Sequence, residues 1–148
     1  MKVIILGGCG GMGRYAADLA ATFDNIDLLT ISDLYEKDAK EFAASLGSHV
    51  DGLGVDVNDI ERLNNILPEY DVVLNTVGPF FKFGYQILKS ALKSNCHYMD
   101  ICDDWEPTEE MLQLDGIAKE KNLLAIIGLG ASPGITNLLG SIAIDQLD

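Results

Sequence analysis

Short apolar runs alternate with longer segments of helical period along the whole chain, and this alternation is the strongest constraint on the fold. The first run, residues 3–6, is apolar throughout and is followed by glycines, which is typical of a strand covered on both faces. We predict strands at 3–6, 27–32, 49–55, 71–75, 97–100 and 124–127. Parallel strands need crossover connections, so the alternation predicts an α/β fold, a doubly wound parallel sheet of about six strands with helices on both faces.

The segments between these runs carry apolar residues at spacings of three and four, as helices with one buried face do. We predict helices over residues 12–23, 39–46, 58–67, 85–92 and 108–120, and another from residue 135 onwards. Asn58 and Glu61 have the spacing of a capping box, which predicts that Asn58 begins the third helix. Gly47 is expected to end the second helix and Pro68 the third.

Length, charge and cysteine content limit the class of protein. The 148 residues suit one domain, placed at 1–148, and 48% of them are hydrophobic. Ten Lys and Arg against 23 Asp and Glu give a net charge of −13, which disfavours nucleic acid and anionic membranes as partners. Three cysteines without a C-x-x-C pair indicate reduced thiols rather than a disulfide framework or a metal site. No run is long enough to span a membrane, so a cytoplasmic location is expected.

A glycine-rich loop lies between the first predicted strand and the first predicted helix. Gly8, Gly10 and Gly13 have the spacing G-x-G-x-x-G, with Gly11 and Met12 inside it. Glycines in this context permit a tight turn and close approach of a pyrophosphate, whose charge the helix N-terminus favours. A nucleoside-triphosphate loop is excluded, since it needs Lys and then Ser or Thr where this chain has Arg and Tyr. A glycine turn without a ligand is the alternative.

Asp33 follows the second predicted strand, 20 residues after Gly13. A carboxylate in this position accepts hydrogen bonds from the hydroxyls of an adenosine ribose and repels a 2′-phosphate. Leu34 stands where enzymes that use NADP often have arginine, and Lys37 is the nearby cation. The sequence therefore predicts a Rossmann fold that binds NAD, with NADP less favoured. A helix-capping role for Asp33 is the alternative.

Two further segments follow predicted strands at the edge where open sheets bind ligands. Asp56 and Val57 follow the third strand, where the carboxylate and the backbone are placed to contact an adenine. Val77, Gly78 and Pro79 follow the fourth strand, and small residues there let a ribose and a nicotinamide lie against backbone. The alternatives are an exposed loop acid at 56 and a proline turn at 77–79.

Four segments together are more specific than the glycine loop alone. GGCGGMGRYAADLA, NTVGPFFKFG, HYMDICDD and GLGASPGITNLLG, in this order, resemble the N-terminal cofactor domain of the saccharopine dehydrogenase family, and the likeness extends over essentially the whole chain. Enzymes of this family oxidise or reduce a carbon–nitrogen bond of an amino acid by moving a hydride to or from nicotinamide. The resemblance implies an oxidoreductase that acts on a lysine-like amino acid, with this chain as its dinucleotide-binding domain.

The resemblance also implies roles for individual residues. It implies that the glycines and Met12 of the loop hold the pyrophosphate of the cofactor. It also implies that Asp33 holds the ribose and that residues 77–79 lie on the nicotinamide side. It places the amino-acid substrate near Asp100, whose carboxylate would hold an ammonium group, and near Ser132, Pro133 and Gly134. Many relatives have Asp where this chain has Ser132, so the exact substrate stays open. No residue is identified as the catalytic acid or base.

The C-terminal end carries a final expectation. Relatives have a second domain that supplies most of the substrate pocket, whereas this chain ends at Asp148. Positions 135, 138, 139, 142 and 143 form one apolar stripe, which is expected to pack on the sheet or on a second copy. The chain alone is expected to be a homo-oligomer that binds cofactor without turning over an amino acid. A regulatory or sensor module that binds the dinucleotide without catalysis is the alternative function.

Overall fold

The computed structural model describes residues 1–147, and within them six strands form one parallel sheet. The strands are Lys2–Leu6 (β1), Leu28–Asp33 (β2), Val50–Gly54 (β3), Val72–Asn75 (β4), His97–Asp100 (β5) and Ala125–Ile126 (β6). Their order across the sheet is β3-β2-β1-β4-β5-β6, and every neighbouring pair is parallel. The doubly wound α/β sheet predicted from the sequence is confirmed.

Helices connect the strands. They are Gly11–Ala20 (α1), Glu36–Leu46 (α2), Ile60–Ile66 (α3), Phe80–Lys93 (α4), Trp105–Leu112 (α5), Asp115–Glu120 (α6) and Thr136–Asp145 (α7). A 3₁₀ turn, Leu67–Glu69, follows α3 and contains the proline expected to end that helix, and a π-type turn, Ala131–Ile135, precedes α7. Over residues 1–147, none of these helices combines the length and apolarity that a bilayer crossing requires.

Alternating side chains of β1 build two core layers. Val3 and Ile5 pack on one face with residues of α1 and α2, and Ile4 and Leu6 pack on the other with residues of α3 and α4. Ile4, Ile5 and Leu6 are completely buried. Burial of each such side chain stabilises the fold by about 1.5–3 kcal/mol, so β1 is firmly held between the layers. The glycine loop therefore leaves from a fixed point at the end of β1.

The N-cap of the third helix lies one residue later than the sequence predicts. Its N-cap is Asp59, whose Oδ1 accepts a hydrogen bond from the Arg62 N–H at 2.9 Å. The Asn58 side chain instead donates from Nδ2 to Oδ1 of Asp56 at 2.7 Å. The capping-box interpretation of Asn58 is wrong because Asp59 occupies the N-cap position and its carboxylate accepts the N–H of the first turn.

The segment predicted as one helix over 108–120 is two helices, α5 and α6. At the junction, the N–H groups of Gln113 and Leu114 donate to carbonyls three residues back, which tightens the turn and ends α5. Met111, Leu114 and Ala118 are nevertheless all buried. The apolar period continues through the break, so periodicity does not reveal it.

The apolar stripe of α7 is exposed. Leu138 is 67% exposed and Ile142 59%, and no residue of α7 is buried. The sheet does not cover this stripe, contrary to one of the two expectations. Cover by a second copy stays a prediction.

Candidate functional site

The winding of the sheet reverses between β1 and β4, and this places a crevice at the carboxyl edge of the two strands. The chain passes from β1 to β2 and β3 on one side, and from β4 to β5 and β6 on the other. Loops after β1 and β4 therefore diverge, and doubly wound sheets bind ligands at such a point. The glycine loop follows β1, and residues 76–79 follow β4.

Glycines let the backbone approach closely at two positions in the loop. Gly7 has a φ of +76°, and a Cβ there would lie 3.1 Å from the Thr76 backbone and from Val77 Cγ2. A Cβ on Gly13 would overlap the Gly7 carbonyl oxygen and lie 2.8 Å from Gly8 Cα. The first glycine therefore allows contact with the β4 loop, and Gly13 lets α1 pack on the end of β1.

The start of α1 presents free N–H groups. The first bond of the helix runs from the Arg14 N–H to the Gly10 carbonyl at 2.8 Å. The N–H groups of Gly11, Met12 and Gly13 therefore have no acceptor within the helix. Nothing lies within 4 Å of a Cβ placed on Gly11, and the one neighbour of a Cβ on Gly10 is a carbonyl oxygen at 3.3 Å. This combination of open space, N–H donors and a positive helix end fits a pyrophosphate.

Asp33 ties the end of β2 to the glycine loop. Its Oδ2 accepts a hydrogen bond from the Cys9 N–H at 3.0 Å, and its Oδ1 accepts from the Leu34 N–H at 2.8 Å. The capping alternative is wrong, because the N-cap of α2 is Tyr35. Asp33 thus stands beside the loop as predicted, with each oxygen already engaged by backbone.

A cavity of about 200 Å³ opens beside Asp33 and has Val57 and Val77 in its lining. Asp56 lines it too, but the Asp56 carboxylate is turned back on its own loop. Oδ1 of Asp56 accepts from both the N–H and the Nδ2 of Asn58, and these bonds lower the pKa of Asp56. The structure therefore brings Asp33 and the 56–57 segment, predicted for the adenosine side, into one cavity with Val77, which was predicted for the nicotinamide side.

The β4 loop is locked onto the glycine loop by polar side chains. Thr76 Oγ1 lies 2.9 Å from the Leu6 carbonyl oxygen and 3.1 Å from that of Gly7. Asn75 is completely buried, and its Oδ1 accepts a hydrogen bond from the Val77 N–H at 3.0 Å. Gly78 and Pro79 follow on the exposed side, where Pro79 is the N-cap of α4. Residues 77–79 thus form one wall of the crevice.

The family model described as the saccharopine dehydrogenase NADP binding domain matches residues 3–126. The chain belongs to this family. The match takes in the sheet through β6, together with the glycine loop and the β4 loop, and it ends before the turn that contains Ser132.

Two curated relatives are similar to this saccharopine dehydrogenase family domain. A saccharopine dehydrogenase from Pyricularia oryzae, named as using NADP(+) and forming L-glutamate, is 23% identical over 146 residues, which are 99% of this chain and 31% of that protein. A lipid droplet localized protein from Caenorhabditis elegans is 25% identical and covers 86% of this chain and 32% of that protein. The chain spans about a third of the length of these relatives.

Solved structures confirm the fold of the family domain. Apo saccharopine dehydrogenase (L-Glu forming) from Saccharomyces cerevisiae matches with a TM-score of 0.82 at 23% identity, over 98% of this chain and 31% of that chain. A UDP-N-acetylglucosamine 3-dehydrogenase from Acidithiobacillus ferrooxidans matches with a TM-score of 0.62 at 21% identity, over 86% of this chain and 38% of that chain.

The comparisons lean towards NADP, whereas the sequence favoured NAD. The family description and the name of the Pyricularia oryzae relative both specify NADP. The expectation depended on Asp33 facing the ribose as a free acceptor. In the structure the Asp33 carboxylate accepts hydrogen bonds from the Cys9 and Leu34 N–H groups. A role in holding the glycine loop therefore accounts for an acid at this position without a ribose contact.

Asp100 lies deeper in this family domain than a substrate contact requires. It is completely buried; its Oδ2 accepts from the Tyr98 hydroxyl at 2.9 Å, and its Oδ1 accepts from the N–H groups of Cys102 and Gly128 at 3.0 and 2.8 Å. Burial raises the pKa of Asp100, while these three hydrogen bonds oppose the shift. The carboxylate therefore holds the end of β5 and is not open to an ammonium group.

The other implied substrate residues lie at the same edge of the sheet. Ser132, Pro133 and Gly134 belong to the turn before α7, where a Cβ on Gly134 would lie 3.0 Å from the Gly128 carbonyl oxygen. Because Gly128 also donates to Asp100, the buried carboxylate positions this turn. Ser132 is exposed.

Sequence reasoning missed the buried polar network behind the crevice. Asn75 Nδ2 donates to the Tyr98 hydroxyl at 3.0 Å, and that hydroxyl donates to Asp100. Burial and the nearby Asp100 carboxylate raise the pKa of Tyr98 well above its usual value. Positions 98 and 100 share one face of β5, and Asn75 pairs with Asp100 in register. That spacing of polar residues within apolar strands is the signal that could have revealed the network.

A second cavity, about 240 Å³ in volume, lies away from the crevice among α4, α5, α6 and β6. Its lining is mainly apolar, and its charged residues Asp115 and Lys119 pair with each other at 2.6 Å. A binding site normally adds convergent polar groups to an apolar wall, and this cavity lacks them among its described lining residues. Residues 1–147 also contain no group of three His, Cys, Asp or Glu side chains arranged to hold a metal.

Proposed function

We propose that this chain binds NADP(H) as the cofactor domain of an oxidoreductase that acts on a carbon–nitrogen bond of a lysine-like amino acid. The observation that carries the proposal is the geometry of the glycine loop, in which three N–H groups without an acceptor in the helix lie at the switch point of the sheet, with open space around Gly11. The family description and the name of the Pyricularia oryzae relative support NADP(H) over NAD(H).

Each part of the crevice has a proposed task. The N–H groups of Gly11, Met12 and Gly13 hold the pyrophosphate, and Asp33 fixes the loop beside the adenosine ribose. Val57 lines the adenosine side, and Val77 with the exposed backbone of Gly78 and Pro79 faces the nicotinamide. The bound dinucleotide supplies the group that gives or takes a hydride. The protein supplies orientation, because a fixed backbone cradle costs little ordering entropy on binding.

Calorimetric titration of the unmutated protein with NADPH tests the proposal, with Gly10→Val as the decisive variant. Gly10 lies at the exposed mouth of the loop, where a branched side chain would occupy the space proposed for the pyrophosphate. We expect one saturable site, lost in Gly10→Val. Gly116→Val is the matched control, since a Cβ on Gly116 also meets nothing within 4 Å but lies in α6, away from the loop. Circular dichroism checks that both variants fold.

Two results would overturn the proposal. One is the absence of NADPH and NADH binding by the folded, unmutated protein. The other is unchanged NADPH affinity in a folded Gly10→Val variant, which would remove the glycine loop from the site.

A module that binds the dinucleotide without catalysis is the second candidate, and the burial of Asp100 favours it for this chain. With its carboxylate engaged by three donors, Asp100 offers no acceptor to an amino-acid ammonium. We expect no formation of reduced nicotinamide when the chain is mixed with NADP and lysine or saccharopine. Robust formation, followed by absorbance, would contradict this candidate and support catalysis by the chain itself.

A further inference from the structure

We propose that Arg14 binds the adenosine 2′-phosphate of NADP(H) and so sets the cofactor preference of this domain. The inference rests on the proposed function and deepens it by naming the cation that reads the 2′ position. Position 34, where enzymes that use NADP often have arginine, holds an exposed leucine. A domain that uses NADP(H) therefore needs a positive group from another part of the fold.

Arg14 is folded back onto the glycine loop. It lies in the first turn of α1, and its Nε donates to the Cys9 carbonyl at 3.0 Å. The N–H of Cys9 in turn donates to Asp33 Oδ2 at 3.0 Å. A single residue, Cys9, thus joins the guanidinium to the carboxylate that marks the ribose end of the site. The charge of Arg14 is consequently fixed next to the end of β2.

A second contact, with an aromatic ring of α2, also holds the guanidinium. The guanidinium carbon of Arg14 lies 4.3 Å from the centroid of the Phe42 ring, which belongs to α2. Of the five N–H donors of the guanidinium, only Nε has an acceptor among residues 1–147, and within that part of the chain Arg14 forms no ion pair. Its fork of terminal donors is therefore positioned but unused, which suits bidentate contact with a phosphate.

The other cations around the second and third strands already have a partner. Lys37 pairs with Glu41 at 3.7 Å, and Lys40 pairs with Glu36. Arg62 donates to the Gly54 carbonyl of β3 at 3.2 Å. Among the described residues, Arg14 is thus the cation that combines attachment to the glycine loop with an unpaired guanidinium fork.

Acidic neighbours limit the size of the expected effect. Asp38 and Glu41 line the same surface depression as Arg14. Asp33 is also near, because Cys9 is hydrogen-bonded to both Arg14 and Asp33. Charge-assisted hydrogen bonds to a phosphate are worth about 1.5–3 kcal/mol, or roughly ten- to a hundredfold in affinity. Because these carboxylates repel the phosphate, we expect the lower end of that range, and the preference should weaken as salt screens the contact.

The test compares ligands that differ only at the 2′ position. Calorimetry measures the binding of adenosine 2′,5′-bisphosphate, 5′-AMP, NADPH and NADH to the unmutated protein and to Arg14→Gln, Arg14→Lys and Lys37→Gln. Arg14→Gln is expected to weaken NADPH and the bisphosphate about tenfold, with NADH and 5′-AMP changed by less than about twofold. Arg14→Lys, which keeps the charge, is expected to restore part of the loss. Lys37→Gln is the matched control, because it removes one nearby positive charge and should leave the ratio unchanged.

The outcomes separate this inference from the proposed function. An unchanged NADPH-to-NADH ratio in Arg14→Gln overturns the inference alone, and selective loss in Lys37→Gln overturns it by assigning the role to Lys37. Tighter binding of NADH than NADPH by the unmutated protein also overturns it, while leaving the glycine loop as a dinucleotide site. If the unmutated protein binds neither dinucleotide, the proposed function fails and the inference fails with it.

Discussion

Substitution of Gly13 by alanine should destabilise the fold rather than merely weaken a ligand. Gly13 lies in the first turn of α1, where the helix approaches the end of β1 most closely. An added Cβ would overlap the Gly7 carbonyl oxygen and would lie 2.8 Å from Gly8 Cα and 2.9 Å from the Gly7 carbonyl carbon. All three atoms are backbone, so no side-chain rotation relieves the overlap.

The magnitude follows from two opposing contributions. Overpacking of a filled interior costs up to about 3 kcal/mol, and the closeness of three backbone atoms places this site at that upper end. Alanine in a helix is favoured over glycine by about 1 kcal/mol, which offsets part of the cost. The expected net loss is about 2 kcal/mol of unfolding free energy, or roughly 4–8 °C in melting temperature for a chain of this size.

Urea unfolding, followed by circular dichroism in the absence of any dinucleotide, measures this loss. Gly11→Ala is the matched control, because Gly11 is the first residue of α1 and a Cβ there meets nothing within 4 Å. The control should be as stable as the unmutated protein or slightly more stable. Equal stability of Gly13→Ala and Gly11→Ala would refute the packing role assigned to Gly13.

Three further predictions concern charge and surface. Burial raises the pKa of Asp100 in the folded protein. The stability that the Asp100 side chain contributes is therefore complete below about pH 3.8, the pKa of an unperturbed Asp, and falls as the pH rises through the higher folded-state pKa. In urea unfolding, the free energy by which the unmutated protein exceeds Asp100→Asn should shrink as the pH is raised, and an increase would contradict this. Asp33→Ala should raise the ratio of NADPH to NADH affinity, because it removes a negative charge that repels the 2′-phosphate; calorimetry showing a constant ratio would argue against a position of Asp33 beside that phosphate. The exposed apolar stripe of α7 should make this chain self-associate. The double variant Leu138→Glu, Ile142→Glu should therefore sediment as a monomer, and a monomeric unmutated chain would contradict a role of the stripe in self-association.

Local patterns were sufficient to predict the sheet and the position of the glycine loop and Asp33 at one edge of it. Runs such as residues 3–6 are apolar because both faces of β1 are covered, and the order of elements leaves few topologies for a parallel sheet. Glycine spacing after a strand likewise has a local cause, since the turn, the helix start and the close packing all involve neighbouring residues. Asp33 could be located for the same reason, by its distance from Gly13 along the chain.

The features that sequence reasoning missed depend on contacts between distant segments. Asp100 is an acid at the end of a strand, and only the fold shows that Gly128, 28 residues later, donates to it. Asn58 is a local exception: it fits a capping box, but the neighbouring Asp59 takes the N-cap position instead. The role proposed for Arg14 also depends on Phe42 of α2, which no local motif connects to the glycine loop.

The most direct test of the account is to locate NADPH on the protein by backbone amide NMR. Titration of ¹⁵N-labelled protein with NADPH should shift the amides of Gly11, Met12 and Gly13, of residues around Asp33, and of residues 76–79, and the amides lining the cavity among α4, α5 and α6 should stay in place. Shifts confined to that second cavity, or an unchanged glycine loop at saturating NADPH, would contradict the central claim that the crevice between the β1 and β4 loops is the dinucleotide site.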